Sequence, residues 1–314
     1  MDFDKIKYLI SNHHHAAGRF IDRRRTAFFS PARLAWLVVV LAVPLLFGAK
    51  APTTNEPVLY REGFLQVVSP DNGSVEQAKA AAKKVADAWK FDLKVMRWTH
   101  PAEMDGPLML RLISNDRMKS EHGGLRAWAK GNRFEVRLDL IDDPNIDGTI
   151  AHELGHLQAF RALGEHEKQA PKYFLEGHGL MMNQLYADHL HIDRHRGGGN
   201  QVRGIMSITA DQARTMLANE HYRVGSTEYT VMEYMGLYFV EYLRVRKGIA
   251  DAVPMMGRVF EGIGRGRTYE QAFAETYDLS VKKAASEVVA YFKRTEGSPA
   301  DRIKGTRLEE YLQK

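Results

Sequence analysis

The fifteen residues from Leu34 to Gly48 (LAWLVVVLAVPLLFG) carry no charged side chain. They constrain this chain more than any other stretch. A helix that is apolar on every face, placed near the start of a chain, is easier to insert into a bilayer than to bury. The run is shorter than the roughly 20 residues of a comfortable span. Arg33 and Lys50 flank it, however, and can snorkel to the interfaces. Upstream, Lys5, Lys7, Arg19, Arg23, Arg24 and Arg25 outnumber Asp2, Asp4 and Asp22, the charge bias of a cytoplasmic flank. The expectation is an uncleaved single-pass anchor with a cytoplasmic N-terminus and the rest of the chain outside the cytoplasm. A cleaved secretory signal is disfavoured, because the leader is long and Ala49-Lys50-Ala51 would leave Pro52 as the first mature residue. The triplet His13-His14-His15 sits among polar residues with no partner ligand and reads as surface.

This split also explains the charge of the chain. The formal net charge is +5, and the first 50 residues hold eight Lys+Arg against three Asp, which is the whole excess. The remaining residues carry 36 of each sign. The basic balance therefore reports membrane topology and gives no reason to expect nucleic acid, for which no interleaved basic and aromatic pattern exists either. The chain has no cysteine, which excludes disulfides, thiolate zinc sites, iron–sulfur clusters and a thiol nucleophile.

The expected layout is a leader (1–33), an anchor or signal segment (34–49), a Pro-rich polar tether (50–60), an α/β part (61–146), a helical part carrying the chemistry (147–296) and a C-terminal tail (297–314). Phe64 to Ser69 reads as a strand before the turn at Pro70-Asp71-Asn72-Gly73. Ser74 can cap a helix whose inner face is Val75, Ala78, Ala82, Val85 and Trp89. Leu108 to Ile113 and Phe134 to Ile141 read as further strands. Beyond residue 147 the periodicity turns helical, with a stripe of Val231, Met235, Tyr238, Phe239 and Tyr242 and a last helix from Ser280 towards Lys293. The fold class is α+β.

Residues 152 to 156 read His-Glu-Leu-Gly-His. Imidazoles four apart on a helix project from one face about a turn apart, a separation at which two can bind one Zn²⁺. Glu153 then sits beside the open position of the metal, where it can take a proton from water acidified by the ion. Asp147 can cap this helix and Gly164 can end it. A catalytic zinc needs a third protein ligand. The form with a third histidine six residues after the second is excluded, since Ala159 and Ala162 occupy its glycine and histidine positions. The best candidate is Glu176 in Phe174-Leu175-Glu176-Gly177-His178-Gly179, on a second helix opened by Pro171 and folded back antiparallel. His166 and His178 are the alternatives. Gly177 and Gly179 would let the two helices approach closely.

HELGH at 152–156 followed by FLEGHG at 174–179 resembles the gluzincin metallopeptidases, in particular the peptidase MA-like group. A weaker likeness runs from Tyr229 through Tyr238–Leu243 to Phe292, so the resemblance covers roughly Arg133 to Phe292. It implies a small mixed sheet packed on the zinc helix, with an edge strand that aligns a peptide substrate; Phe134 to Leu140 is in the place of that edge. It further implies an oxyanion-stabilising Tyr or His from a later helix, for which Tyr234 is the candidate and Tyr229 the second choice. The activity implied is hydrolysis of peptide bonds by zinc-activated water, with one Zn²⁺ held by His152, His156 and Glu176 and with Glu153 as general base. The alternative is an envelope-anchored binding or scaffold protein that keeps the fold without the chemistry; Glu153 argues against it, because a binding module needs no base.

His189, His191 and His195, next to Gly197-Gly198-Gly199, read as a loop near the active-site side rather than a second metal site. Gly262-Ile263-Gly264-Arg265-Gly266 reads as a turn between helices, as no strand precedes it and no phosphate-binding lysine follows.

Overall fold

The computed structural model describes residues 56–98, 107–192, 198–218, 222 and 226–311. The leader, the anchor segment, most of the tether, residues 193–197 with His195, and residues 312–314 lie outside this set. No helix among the described residues is long and apolar enough to cross a membrane.

Five strands form one mixed sheet: β1 (Val58–Glu62), β2 (Leu65–Val68), β3 (Leu108–Ile113), β4 (Ala127–Lys130) and β5 (Arg133–Arg137), in the order β1-β2-β3-β5-β4. The two hairpin pairs, β1–β2 and β4–β5, are antiparallel, whereas β2–β3 and β3–β5 are parallel. Gly63 turns the first hairpin and Gly131 the second, both at positive φ, a conformation that costs glycine little. A parallel neighbour requires a crossover, and α1 (Val75–Met96) makes the one between β2 and β3. Its start follows the sequence, with Ser74 and Gln77 forming a reciprocal capping box. Ala78, Ala82, Val85 and Trp89 are buried as expected, but Val75 at the first turn is exposed.

The two faces of the sheet differ in chemistry. Leu108, Leu110, Leu112, Phe134 and Val136 point into the apolar core. On the opposite face Arg111 and Glu135 stand across from each other in the β3–β5 register. Glu135 is fully buried there and receives Arg111, Arg133 and His122, the last at 2.7 Å. Arg111 also reaches Glu56 at 2.8 Å. The helix α2 (Asn115–His122) supplies His122, whose ring stacks on Trp128.

The rest is helical: α3 (Ile146–Leu163), α4 (Lys172–His189), α5 (Gly198–Ser207), α6 (Ala210–Ala218), α7 (Thr227–Val245), α8 (Ala252–Gly264), α9 (Tyr269–Tyr277) and α10 (Val281–Arg294). The α+β class with a mixed sheet and a mostly helical remainder is therefore as the sequence indicates. The stripe on α7 is buried throughout, and Ser280 caps α10. The helix α3 packs against α1, β4 and α4.

Several local expectations are corrected. Phe134 to Leu140 is not the sheet edge, because β5 lies between β3 and β4 and leaves the strand at Arg137 for a 3₁₀ turn. The edge on that side is β4, too short and alanine-rich to announce itself as a strand. Asp147 does not cap α3. The helix begins at Ile146, and Asp147 instead binds Lys84 of α1 at 2.7 Å, tying the two helices together. Part of the tether is β1. Within the tail, Arg302, Ile303 and Leu308 are buried. The Arg302 guanidinium donates to the carbonyls of Ile205, Met206 and Ile208 at the end of α5. A guanidinium has five N–H donors and can serve several carbonyls at once, and no local pattern signals this contact.

The helices α4 and α7 cross at two glycines. A Cβ on Gly236 would run into the carbonyl oxygen of Tyr173, and one on Gly177 into the backbone of Gly236. Gly236→Ala should therefore destabilise the protein by about 3 kcal/mol or more, as overpacking against backbone cannot be relieved by a rotamer change; an unchanged urea midpoint would contradict the crossing. Glu135 yields a second expectation. Burial raises its carboxyl, but hydrogen bonds from Arg111 and His122 and the charges of Arg133 and Arg111 more than reverse this and hold it below the usual range. A depressed folded-state pKa gives stability that is present above the ordinary carboxylate range and is lost as pH falls through the folded value. Glu135→Gln should cost about 3–5 kcal/mol at pH 7, and its deficit relative to wild type should shrink on acidification. A deficit that grows with acid would refute the assignment.

Candidate metal centre

The helices α3 and α4 run antiparallel, as their contacts show. Positions advancing along α3 meet positions receding along α4: Gly148 approaches Asn183, His152 meets Gly179, and His156 meets Glu176. The eight-residue link from Gly164 to Pro171 makes this reversal, and Pro171 opens α4. Of the two small residues proposed to bring the helices together, Gly179 does so, with its Cα side against the His152 ring; a Cβ there would lie 2.8 Å from His152 Cε1. Gly177 serves the α4–α7 crossing instead.

This packing brings three donor atoms together. His152 Nε2 and His156 Nε2 are 3.0 Å apart, Glu176 Oε2 lies 3.1 Å from His156 Nε2, and the third side, from Glu176 Oε2 to His152 Nε2, is 3.6 Å. Tetrahedral coordination at about 2.0–2.1 Å places donor atoms roughly 3.3–3.4 Å apart, and the triangle brackets that spacing. All three side chains are largely buried. Burial works to raise the Glu176 carboxyl, but the two imidazoles outweigh it and hold it well below the usual carboxylate range. An anionic oxygen facing two ring nitrogens is a donor set that can hold a cation.

The surroundings fix these groups. Tyr229, in the first turn of α7, donates its hydroxyl to Glu176 Oε1 at 2.5 Å, leaving Oε2 for the imidazoles. Ser226 caps that turn. Lys172 Nζ stands 3.7 Å from Glu176 Oε1 and over the Tyr229 ring. The His156 ring stacks on Phe160, its own i+4 neighbour. Its Nδ1 has no hydrogen-bond partner among the described residues, so the stacking contact is what orients the ring.

Glu153 is partly buried beside this triangle. Burial pushes its carboxyl up, His152 opposes, and Glu176 and Glu233 add to the rise, so that it reaches about 7. Glu233, one turn beyond Tyr229 on α7, is likewise pushed up to about 7 by burial, with His152 and Lys172 opposing and Glu176 adding. Sequence reading passed over Glu233 and ranked Tyr229 second; the signal available was their i, i+4 spacing behind the Ser226 cap. The Tyr234 ring packs against Gly204, in the field of Glu233 and Arg203.

The alternative ligands do not join the triangle. His166 sits in the link, bonded to Gln169. His178 is fully buried on another face of α4, 3.7 Å from Asp92. His189 stacks on Phe91, and His191 follows the end of α4. A second group, Glu121, His122 and Glu135, has metal-ligand spacing, but Arg111 and Arg133 already occupy Glu135 and their charges oppose a cation. No family model matches this chain, and no curated protein matches it.

Gly179→Ala should push the His152 ring out of the triangle and weaken zinc or cobalt binding to the purified protein about tenfold or more, with helix content retained. The magnitude follows the usual sensitivity of metal sites to ligand orientation. Metal titration against a chelator would read this, and equal affinity would deny Gly179 that role.

Proposed function

We propose that this protein is a zinc-dependent peptidase, tethered to a membrane by the apolar segment at 34–49, with its catalytic part outside the cytoplasm. The observation that carries the reading is the set of four side chains, in which three convergent donors from two helices stand beside a carboxyl that belongs to none of them. His152, His156 and Glu176 would hold the ion, and Glu153 has no structural duty in the triangle. The basic leader before the apolar run supports the topology.

A zinc ion held by His152, His156 and Glu176 would supply Lewis-acid polarisation of a carbonyl and a lowered pKa for water near neutral pH. The protein side chains do the rest. Glu153 takes the proton of the attacking water on its carboxylate and returns it to the leaving amine nitrogen. A carboxyl raised to about 7 can do both, because its two protonation states lie close in free energy near neutral pH. Tyr229 holds Glu176 in the rotamer that presents Oε2 to the imidazoles, and so acts as a positioning residue. The edge of β4 away from β5 offers backbone groups to an extended peptide, which could join the sheet as a sixth strand.

Glu153→Gln separates metal binding from chemistry. The variant should keep one zinc per chain and lose hydrolysis of an unstructured protein substrate by roughly 100- to 10,000-fold, the usual contribution of a positioned acid–base group. Equal cleavage by wild type and variant would overturn the enzyme reading.

A further inference from the structure

A cavity of about 700 Å³ opens beside the metal centre. Its relation to the site follows from helix geometry. Glu153, Leu157 and Arg161 lie at i, i+4 and i+8 on α3, and thus form one row along the helix. Leu157 and Arg161 line the cavity, so it starts about one turn, or roughly 5.4 Å of axis, beyond the base. From the other side, Lys172 and Leu175 line it immediately before Glu176. The end of the edge strand β4, at Ala129 and Lys130, closes it. A peptide laid along β4 would therefore pass from the edge strand into this cavity next to the reacting centre.

The lining has a defined chemistry. Leu157, Phe160 and Leu175 make it apolar at the helix side; its cations are Lys130, Arg161, Lys168 and Lys172, the last also facing Glu176 at 3.7 Å, and the carboxylate in the lining is Glu167. Lys130 and Lys168 are exposed and belong to different elements, the β4–β5 hairpin and the link between α3 and α4. Residues 51–314 carry equal numbers of basic and acidic side chains, so two exposed lysines, Lys130 and Lys168, with one carboxylate in the lining are a local basic excess. Low-dielectric walls focus such a field.

We propose that this cavity is a specificity pocket for a peptide segment bearing a carboxylate close to the scissile bond, either an acidic side chain or a free C-terminus. The inference rests on the peptidase reading above and adds its substrate class. Lys130 and Lys168 contribute the attraction, and the apolar floor accepts the methylenes of the bound segment.

The test uses full-length protein and matched fluorogenic peptides carrying Glu, Gln or Lys at each position within three residues of the scissile bond, each made as a free acid and as a C-terminal amide. Wild type should show kcat/KM about tenfold higher for a Glu than for a Lys peptide, or for a free acid than for its amide, with the gap narrowing as salt screens it. The first pattern identifies an acidic side chain and the second a chain terminus. In the double variant Lys130→Glu/Lys168→Glu the preference should invert. Fluorescence anisotropy of the same labelled peptides on zinc-loaded Glu153→Gln protein, with and without the two lysine substitutions, reads the pocket without turnover. Hydrolysis with no preference for the carboxylate in any series would overturn the pocket and leave the peptidase intact. Charge-selective binding abolished by the lysine substitutions, but with no hydrolysis by wild type, would keep the pocket and overturn the peptidase. A preference unchanged in the double variant would also refute the assignment.

Discussion

Burying the carboxylate of Glu176 is the constraint on which the helical half depends. An unpaired buried anion costs several kcal/mol, so Glu176 must meet partners from outside its own helix. It finds His152 and His156 on α3 and Tyr229 on α7, with Lys172 one turn back on α4. Three helices must therefore converge on one oxygen pair, and they do so where side chains are missing. Gly179 makes room for His152, and Gly177 and Gly236 let α4 and α7 cross at backbone distance. The glycines and the polar triangle are thus two sides of one requirement.

The protein holds two clusters of histidine and glutamate, and charge tells them apart. On the polar face of the sheet, Glu135 is enclosed by Arg111, Arg133 and His122, so its anion is already matched. That network joins β3, β5 and α2 and serves the fold. At the α3–α4 pair, Glu176 has Lys172 at 3.7 Å and no arginine partner among the described residues, and the Nε2 atoms of His152 and His156 stand 3.0 Å apart beside its Oε2. Similar ligand spacing thus occurs in two settings: two arginines crowd Glu135, whereas Glu176 faces two imidazoles and one more distant lysine.

The order of the strands connects the sheet to the site. With β5 inside, the short strand β4 becomes the edge, and it is β4 that touches α3. Glu153 and the cavity-lining Leu157 and Arg161 then follow one another along one row of that helix. The ionic bond between Lys84 and Asp147 ties α1 to the first turn of α3, so the crossover that builds the sheet also anchors the helix that carries Glu153.

The amino-acid sequence by itself determined what depends on neighbours along the chain. The two imidazoles four residues apart, the capped starts of α1 and α10, the end of α3 at Gly164 and the opening of α4 at Pro171 all follow from helical periodicity and terminal hydrogen bonding, which are local. The α+β class followed from the same periodicities. Only tertiary structure decided matters of which elements meet. It selected Glu176 over His166 and His178, because antiparallel packing brings one face of α4 to α3. It brought Tyr229 and Glu233 towards the donors through the rotation of α7 about its axis. It also put β5 inside the sheet and Arg302 inside the core. Strand order and helix rotation are set by the summed burial of surfaces far apart in the chain, and no window of residues carries that sum.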